Sequence, residues 1–240
     1  MESNASVARR RLLLARHGEV SYFDRDGRPF RPDTVPLNDE GRSQAESTRD
    51  AIVSVPIDRV ITSGLPRTDE TATILLGSRG IAIERREALR EIQTGRLRDI
   101  PLESLEHSFV GAFTDGIHRD TRFLGGETFG SLVDRVLACF QELIADPTWR
   151  QLLIVAHGGV NRAILCHALG SGLTGFAAIE QDACCLNIID FDSSGRFIVR
   201  LLNMTAYNLT KGGLERTTME RLFLEYCERT GRPRTGRELP

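Results

Sequence analysis

The chain lacks any long apolar run: no stretch approaches the roughly 18 apolar residues that a membrane-spanning helix requires. The basic start MESNASVARRR is not followed by the apolar region of about 7 to 15 residues that a secretory signal would carry. Both absences predict a cytoplasmic protein with no membrane partner. An excess of either charge is also missing. Lys+Arg total 31 against 33 Asp+Glu, a formal net charge of -2, so no global field draws nucleic acid or an anionic surface. The five cysteines, Cys139, Cys166, Cys184, Cys185 and Cys227, are scattered and have no CxxC pair. That pattern argues against a disulfide framework and against a zinc site, and it predicts small buried hydrophobes in a reducing compartment. No acidic cluster suited to magnesium and no internal repeat are visible. No metal and no cofactor are therefore expected.

What the chain does have is an ordinary globular composition, 40% hydrophobic and 27% charged, enough for a sizeable core. Short β-type runs alternate with longer segments of helical period, the pattern of βαβ units. RLLLAR (11–16), IDRVITS (57–63), IAIERR (81–86) and QLLIVA (151–156) read as strands. LNDEGRSQAESTRDAIV reads as a helix capped by Asn38, with Ala45, Ile52 and Val53 as its apolar positions. LPRTDETATILLGS is a helix in which Pro66 is tolerated in the first turn. The stretch 127–146 is a long amphipathic helix, and VNRAILCHALG a helix closed by Gly170. CCLNIIDFD and RFIVRLLNM, joined by SSG, predict an antiparallel hairpin at the sheet edge.

Gly95 to Gly126 shows no clear period and reads as an irregular inserted cap that could serve as a lid. The expected fold class is α/β, a three-layer αβα sandwich with a mostly parallel central sheet, an antiparallel edge strand and that cap. Residues 1–10 are predicted to be a flexible N-terminus, 11–210 one domain, and 211–240 a C-terminal helix and a disordered polar tail.

In an open α/β sheet, ligands bind beyond the carboxyl ends of the strands. Arg16, His17 and Gly18 end the first strand, Ser63 and Arg67 follow the second, Glu91 follows the third, and His157 and Gly158 end the fourth. Arginine forks match phosphate oxygens, glycine-turn amides add donors, and histidine near neutral pH is a nucleophile or proton carrier. The convergence predicts a phosphoryl group in the pocket, its charge neutralised by arginine. Arg67 supports this, because a cation in a first helical turn opposes the dipole unless an anion sits beside it.

The blocks ARHGEV, PLNDEGRSQA, TSGLPRTDETA, LREIQTG, GGET and VAHGGVNR, in this order over roughly residues 11 to 205, resemble the histidine phosphatase superfamily, which holds the cofactor-dependent phosphoglycerate mutases and related phosphatases. The resemblance implies a three-layer αβα domain and a phosphohistidine intermediate. It implies His17 as nucleophile, Arg16 and Arg67 as phosphoryl clamps, His157 as a donor to a phosphoryl oxygen beside the Gly158 amide, and Glu91 as the acid that protonates the leaving oxygen and then activates water.

Two positions depart from the family pattern. Phe23 stands where the family has a phosphate-touching asparagine and Val20 where it has a threonine, so the lost contact falls to Ser63, Asn38 or a loop arginine among Arg25, Arg28 and Arg31. RLRD also replaces the usual glutamate-glycine pair after Gly95.

The expected activity is metal-independent phosphomonoester hydrolysis of a small phosphorylated metabolite. Mutase-type phosphoryl transfer and a non-catalytic phosphate-binding module are the alternatives. His107, His118 and His167 are expected to be structural or solvent-facing. Phe23, Phe30, Phe109 and Phe113 are candidates for an apolar substrate wall. The hairpin edge and the C-terminal helix offer faces for a possible homodimer.

Overall fold

The computed structural model describes residues 9–24, 26, 28, 30–111, 113 and 116–231, with only the backbone of Arg98. Residues 1–8, Arg25 and the tail from 232 onward lie outside the described residues. Strand β1 (Arg10–Arg16) carries the run Leu12 to Ala15, each residue wholly buried. Such a strand has no polar face to turn to water and belongs in the middle of a sheet covered on both sides. It sits there: with β2 (Arg59–Thr62), β3 (Ile83–Arg85), β4 (Gln151–Ala156), β5 (Leu186–Phe191) and β6 (Phe197–Met204), the sheet order is β3-β2-β4-β1-β5-β6. The first four strands pair in parallel, while β5 pairs antiparallel with both β1 and β6, so the expected hairpin forms one edge of the sheet.

The two-residue alternation of a strand divides the core. Leu12 and Leu14 join one cluster and Leu13 and Ala15 the other. Helices α1 (Asp39–Ala51) and α2 (Pro66–Leu76) pack on the second face, with Ile52, Ala72 and Leu75. On the first face lie α3 (Phe129–Ala145) and α4 (Gly158–Leu169), through Leu132, Val136, Val160 and Ile164. Helix α5 (Thr218–Thr230) adds Phe223 and Tyr226 to that same cluster. No helix among the described residues is long and apolar enough to cross a membrane.

Local signals account for most boundaries. Asn38 caps α1, its side chain accepting from the Gly41 N–H at 2.8 Å. Gly170 ends α4 in the left-handed region at φ 68°. One apolar assignment fails: Val53 is 70% exposed, because α1 ends at Ala51 and the chain turns before residue 53 can reach the core. Strand β3 is also shorter than the stretch 81–86. The 95–126 segment is built from short helical turns, yet Leu105, Phe109, Ile117 and Phe123 are buried in the main core cluster.

Candidate active site

Strand register brings the two histidines together. β1 and β4 are parallel neighbours with Arg16 opposite Ala156, so His17 and His157 leave the sheet side by side. The His17 N–H donates to the Ala156 carbonyl at 3.0 Å, and the two rings lie 5.2 Å apart, centroid to centroid, at 64°. Strand β2 flanks β4 with Thr62 opposite Val155, which delivers Ser63 and then the α2 N-terminus with Arg67 to the same edge.

The His17 Nδ1 lies 2.7 Å from the Gly18 carbonyl oxygen. A carbonyl only accepts, so Nδ1 carries the ring proton and the Nε2 lone pair is left for attack. Burial first, then the neighbouring Arg67 and Arg16 guanidinium groups, push the imidazole well below the ordinary histidine value, with the Gly18 bond acting weakly the other way. A neutral imidazole results at neutral pH. His157 is fully buried and is lowered in the same way, first by burial and then by Arg67, His17, Arg16 and Arg135.

Ser63 holds His157 from behind. Thr68 donates its hydroxyl to the Leu65 carbonyl at 2.8 Å, so Ser63, 3.0 Å away, donates to Thr68 and accepts from His157 Nε2–H at 2.8 Å. The His157 Nδ1 then faces Arg67 Nη2 at 3.4 Å as an acceptor. Donation to a phosphoryl oxygen therefore requires a second proton on that ring.

The two arginines are anchored at one end and unpaired at another. Arg16 Nη1 donates to the Gln181 carbonyl at 2.6 Å and to Thr218 Oγ1 at 3.3 Å. Arg67 Nη1 donates to the Pro32 carbonyl at 2.6 Å. The Nε–H of each is buried with no acceptor among the described residues. A buried donor without a partner costs about 1–3 kcal/mol, and two of them around one neutral imidazole suit an anion.

Glu91 completes the cluster. Its carboxylate accepts from the Gly159 N–H at 3.1 and 3.2 Å, at the positive end of α4, and from the Ile92 N–H at 2.9 Å. Gly158 marks the junction: a Cβ built there would lie 3.8 Å from Glu91 Oε2, 3.9 Å from Arg16 Nε and 3.6 Å from Arg162 Nη1.

Three expected substrate contacts are engaged elsewhere. The Gly18 N–H donates to Thr71 Oγ1 at 3.1 Å, and the close backbone approach at Gly18 is to Gly41, whose carbonyl oxygen would sit 2.5 Å from a Cβ. Asn38, besides capping α1, donates to Glu19 Oε1 at 3.2 Å on the rim. Ser63 is wholly buried behind His157. Phe23 is buried against Tyr226, and Phe109 against Tyr226 and Phe223, while Phe30 is 48% exposed. His167 packs between Phe140 and Phe197, a structural position. Arg162, one turn along α4 from Gly158, also borders the cluster, and the spacing from the HGG turn is its sequence signal. It is buried, pairs with Glu180 at 3.2 Å, and is lowered first by burial, with Glu180 opposing. Thr218 carries no sequence signal at all.

Residues 12–204 match the family described as "Histidine phosphatase superfamily (branch 1)". The chain belongs to the histidine phosphatase superfamily. Among its relatives in that superfamily is the 2-carboxy-D-arabinitol-1-phosphatase of Triticum aestivum, 28% identical over 185 residues, which cover 76% of this chain and 37% of that protein. The chain spans less than half the length of the plant relatives it matches. A protein named "Probable phosphoglycerate mutase GpmB" from Salmonella paratyphi A is 29% identical over 186 residues, 76% of this chain and 86% of the other. The crystal structure of the alpha-ribazole phosphatase from Shigella flexneri superposes with a TM-score of 0.67 at 26% identity, covering 80% of this chain and 96% of that one.

Proposed function

We propose that this superfamily member is a metal-independent phosphomonoester hydrolase that acts on a small phosphorylated metabolite through phospho-His17. The observation that carries the reading is the pair of unsatisfied Arg16 and Arg67 Nε–H groups beside a neutral His17 whose Nε2 lone pair is left unprotonated by the Gly18 bond at Nδ1. In the first step the Nε2 pair attacks phosphorus and the bond to the ester oxygen breaks, that oxygen taking a proton from Glu91. In the second, water attacks phosphorus and gives its proton to Glu91, the N–P electrons return to Nε2, and inorganic phosphate leaves. Arg16 and Arg67 hold the developing charge in both steps. His157 takes up a proton as the anion binds and donates from Nδ1. Relatives named as phosphatases support hydrolysis, and buried thiols at all five cysteines support a reducing, cytoplasmic setting.

A mutase-type transfer is favoured by the Salmonella relative and by the closure of the centre, where His17 is only 3% exposed. The deciding experiment compares phosphate release from p-nitrophenyl phosphate with isomerisation of 3-phosphoglycerate, for the wild type and His17→Ala. Hydrolysis by the wild type, trapping of one acid-labile, alkali-stable phosphoryl group per chain after an alkaline denaturing quench, and loss of both in His17→Ala support the proposal. Phosphate binding without turnover or labelling makes the chain a phosphate-binding module instead.

A further inference from the structure

Glu91 sits on a segment with no regular structure beyond the single turn Glu87–Leu89, yet a proton donor must be held to within a fraction of an ångström. The backbone around it is gripped from one side by a single side chain. Arg135, on α3, donates through Nη1 to the Ala88 and Arg90 carbonyls, both at 2.7 Å, and through Nη2 to the carbonyl of Glu91 itself at 3.2 Å. The other edge of its guanidinium makes a two-pronged pair with Glu127, Nε to Oε1 at 2.8 Å and Nη2 to Oε2 at 2.9 Å. Glu127 then reaches the same segment from its far end. Its Oε2 accepts from the Gln93 N–H at 3.0 Å, and its own N–H donates to the Gln93 carbonyl at 2.8 Å. Gly126 lets these two stretches touch, since a Cβ there would run into Gln93 O and Gly95 N.

We propose that Arg135 and Glu127 are positioning residues that fix the backbone of Glu91, so that its carboxyl, resting on the Gly159 amide, meets the leaving oxygen of the substrate. The proposal rests on the reading of Glu91 as proton donor. Packing alone does not require this pair. A largely buried ion pair is weak support for a fold, and apolar residues of similar size often serve as well or better. Only a planar fork, though, can satisfy three carbonyls and a carboxylate at once. The strained backbone of Leu124, at φ 47° in the loop that presents Glu127, fits a site held by its surroundings.

The test uses kcat/KM, which reports steps up to departure of the leaving group, for p-nitrophenyl phosphate and for phenyl phosphate, of similar shape but with a far more basic leaving oxygen. Arg135→Lys keeps the charge and loses the fork; Glu127→Gln is the second variant, and Glu91→Gln is the reference. The expected result is a phenyl to p-nitrophenyl ratio at least about tenfold lower in all three, with the inhibition constant of inorganic phosphate within about twofold of wild type. If Glu91→Gln lowers the ratio while Arg135→Lys and Glu127→Gln lower both substrates equally, or weaken phosphate binding in step, the positioning role is overturned and Glu91 stands. If Glu91→Gln leaves the ratio alone, the donor assignment falls and the proposal with it. Circular dichroism spectra that match wild type establish that the comparison is made between folded proteins, and a variant that fails this check yields to the other.

Discussion

Gly159 explains the second glycine of the HGG turn, because a Cβ on that residue would lie 2.5 Å from Glu91 Oε1. Only a hydrogen at that position lets the carboxylate sit on the α4 N-terminus. Gly159→Ala should therefore displace Glu91 while adding a better helix former. We expect kcat/KM for phenyl phosphate to fall about tenfold to a hundredfold, with a melting temperature within a few degrees of wild type. Equal activity in the variant would show that the carboxylate does not work from this perch. Arg16, His17, Arg67 and His157 were visible in the sequence as side chains that end a strand or open a helix, and Glu91 as a carboxylate in the irregular stretch after the third strand. Partner choice was not visible. That Ser63 serves His157, and that the Gly18 amide serves Thr71, depends on what the neighbouring strand and helix place opposite them.

Helix α5 lies beyond residues 12–204 and still forms part of the wall of the site. A capping box at Thr217 and Glu220 starts it, which sets Thr218 against Arg16 Nη1 at 3.3 Å while the same hydroxyl donates to Glu180 at 2.9 Å. Thr218→Val keeps the shape and deletes that hydroxyl. The inhibition constant of inorganic phosphate should rise about threefold to tenfold, the equivalent of about 1 kcal/mol for one hydrogen bond, and Thr218→Ser should restore it. The expected C-terminal helix forms here. Where its apolar face lands is not written in that stretch: Phe223 and Tyr226 carry it onto Phe109 and, through Tyr226, onto Phe23, tying three distant stretches together in the core.

For the whole molecule, burying two neutral histidines links stability to pH. Both His17 and His157 stand well below their unfolded value in the folded chain, through burial and neighbouring cations. Above about pH 6.5 neither state carries the extra protons and the full stability is present. As pH falls through that value the unfolded chain takes up protons that the folded one refuses, so stability drops by up to about 1.4 kcal/mol per pH unit for each histidine. Carboxylates lowered by arginine partners, such as Glu84 beside Arg59 and Asp190 beside Arg11, lose their contribution only at lower pH. Urea unfolding between pH 7.5 and 5 should show the decline, and a His17→Gln, His157→Gln double variant should flatten it. Inorganic phosphate should also flatten it in the wild type, by supplying a counter-charge to the protonated pair. Parallel pH curves for the wild type and the double variant would contradict the neutral buried pair.

Local sequence suffices for the α/β alternation, the strand carrying Leu12 to Ala15, the caps at Asn38 and Gly170, and the set of charged and imidazole side chains at the strand ends. These depend on local periodicity and on the chemistry of single residues, which a chain displays without folding. Tertiary structure alone decided that Arg135 and Glu127 hold the Glu91 segment and that Arg162 and Thr218 stand around Arg16. Those outcomes are set by hydrogen-bond geometry and packing between stretches dozens of residues apart, and no window along the chain contains both partners.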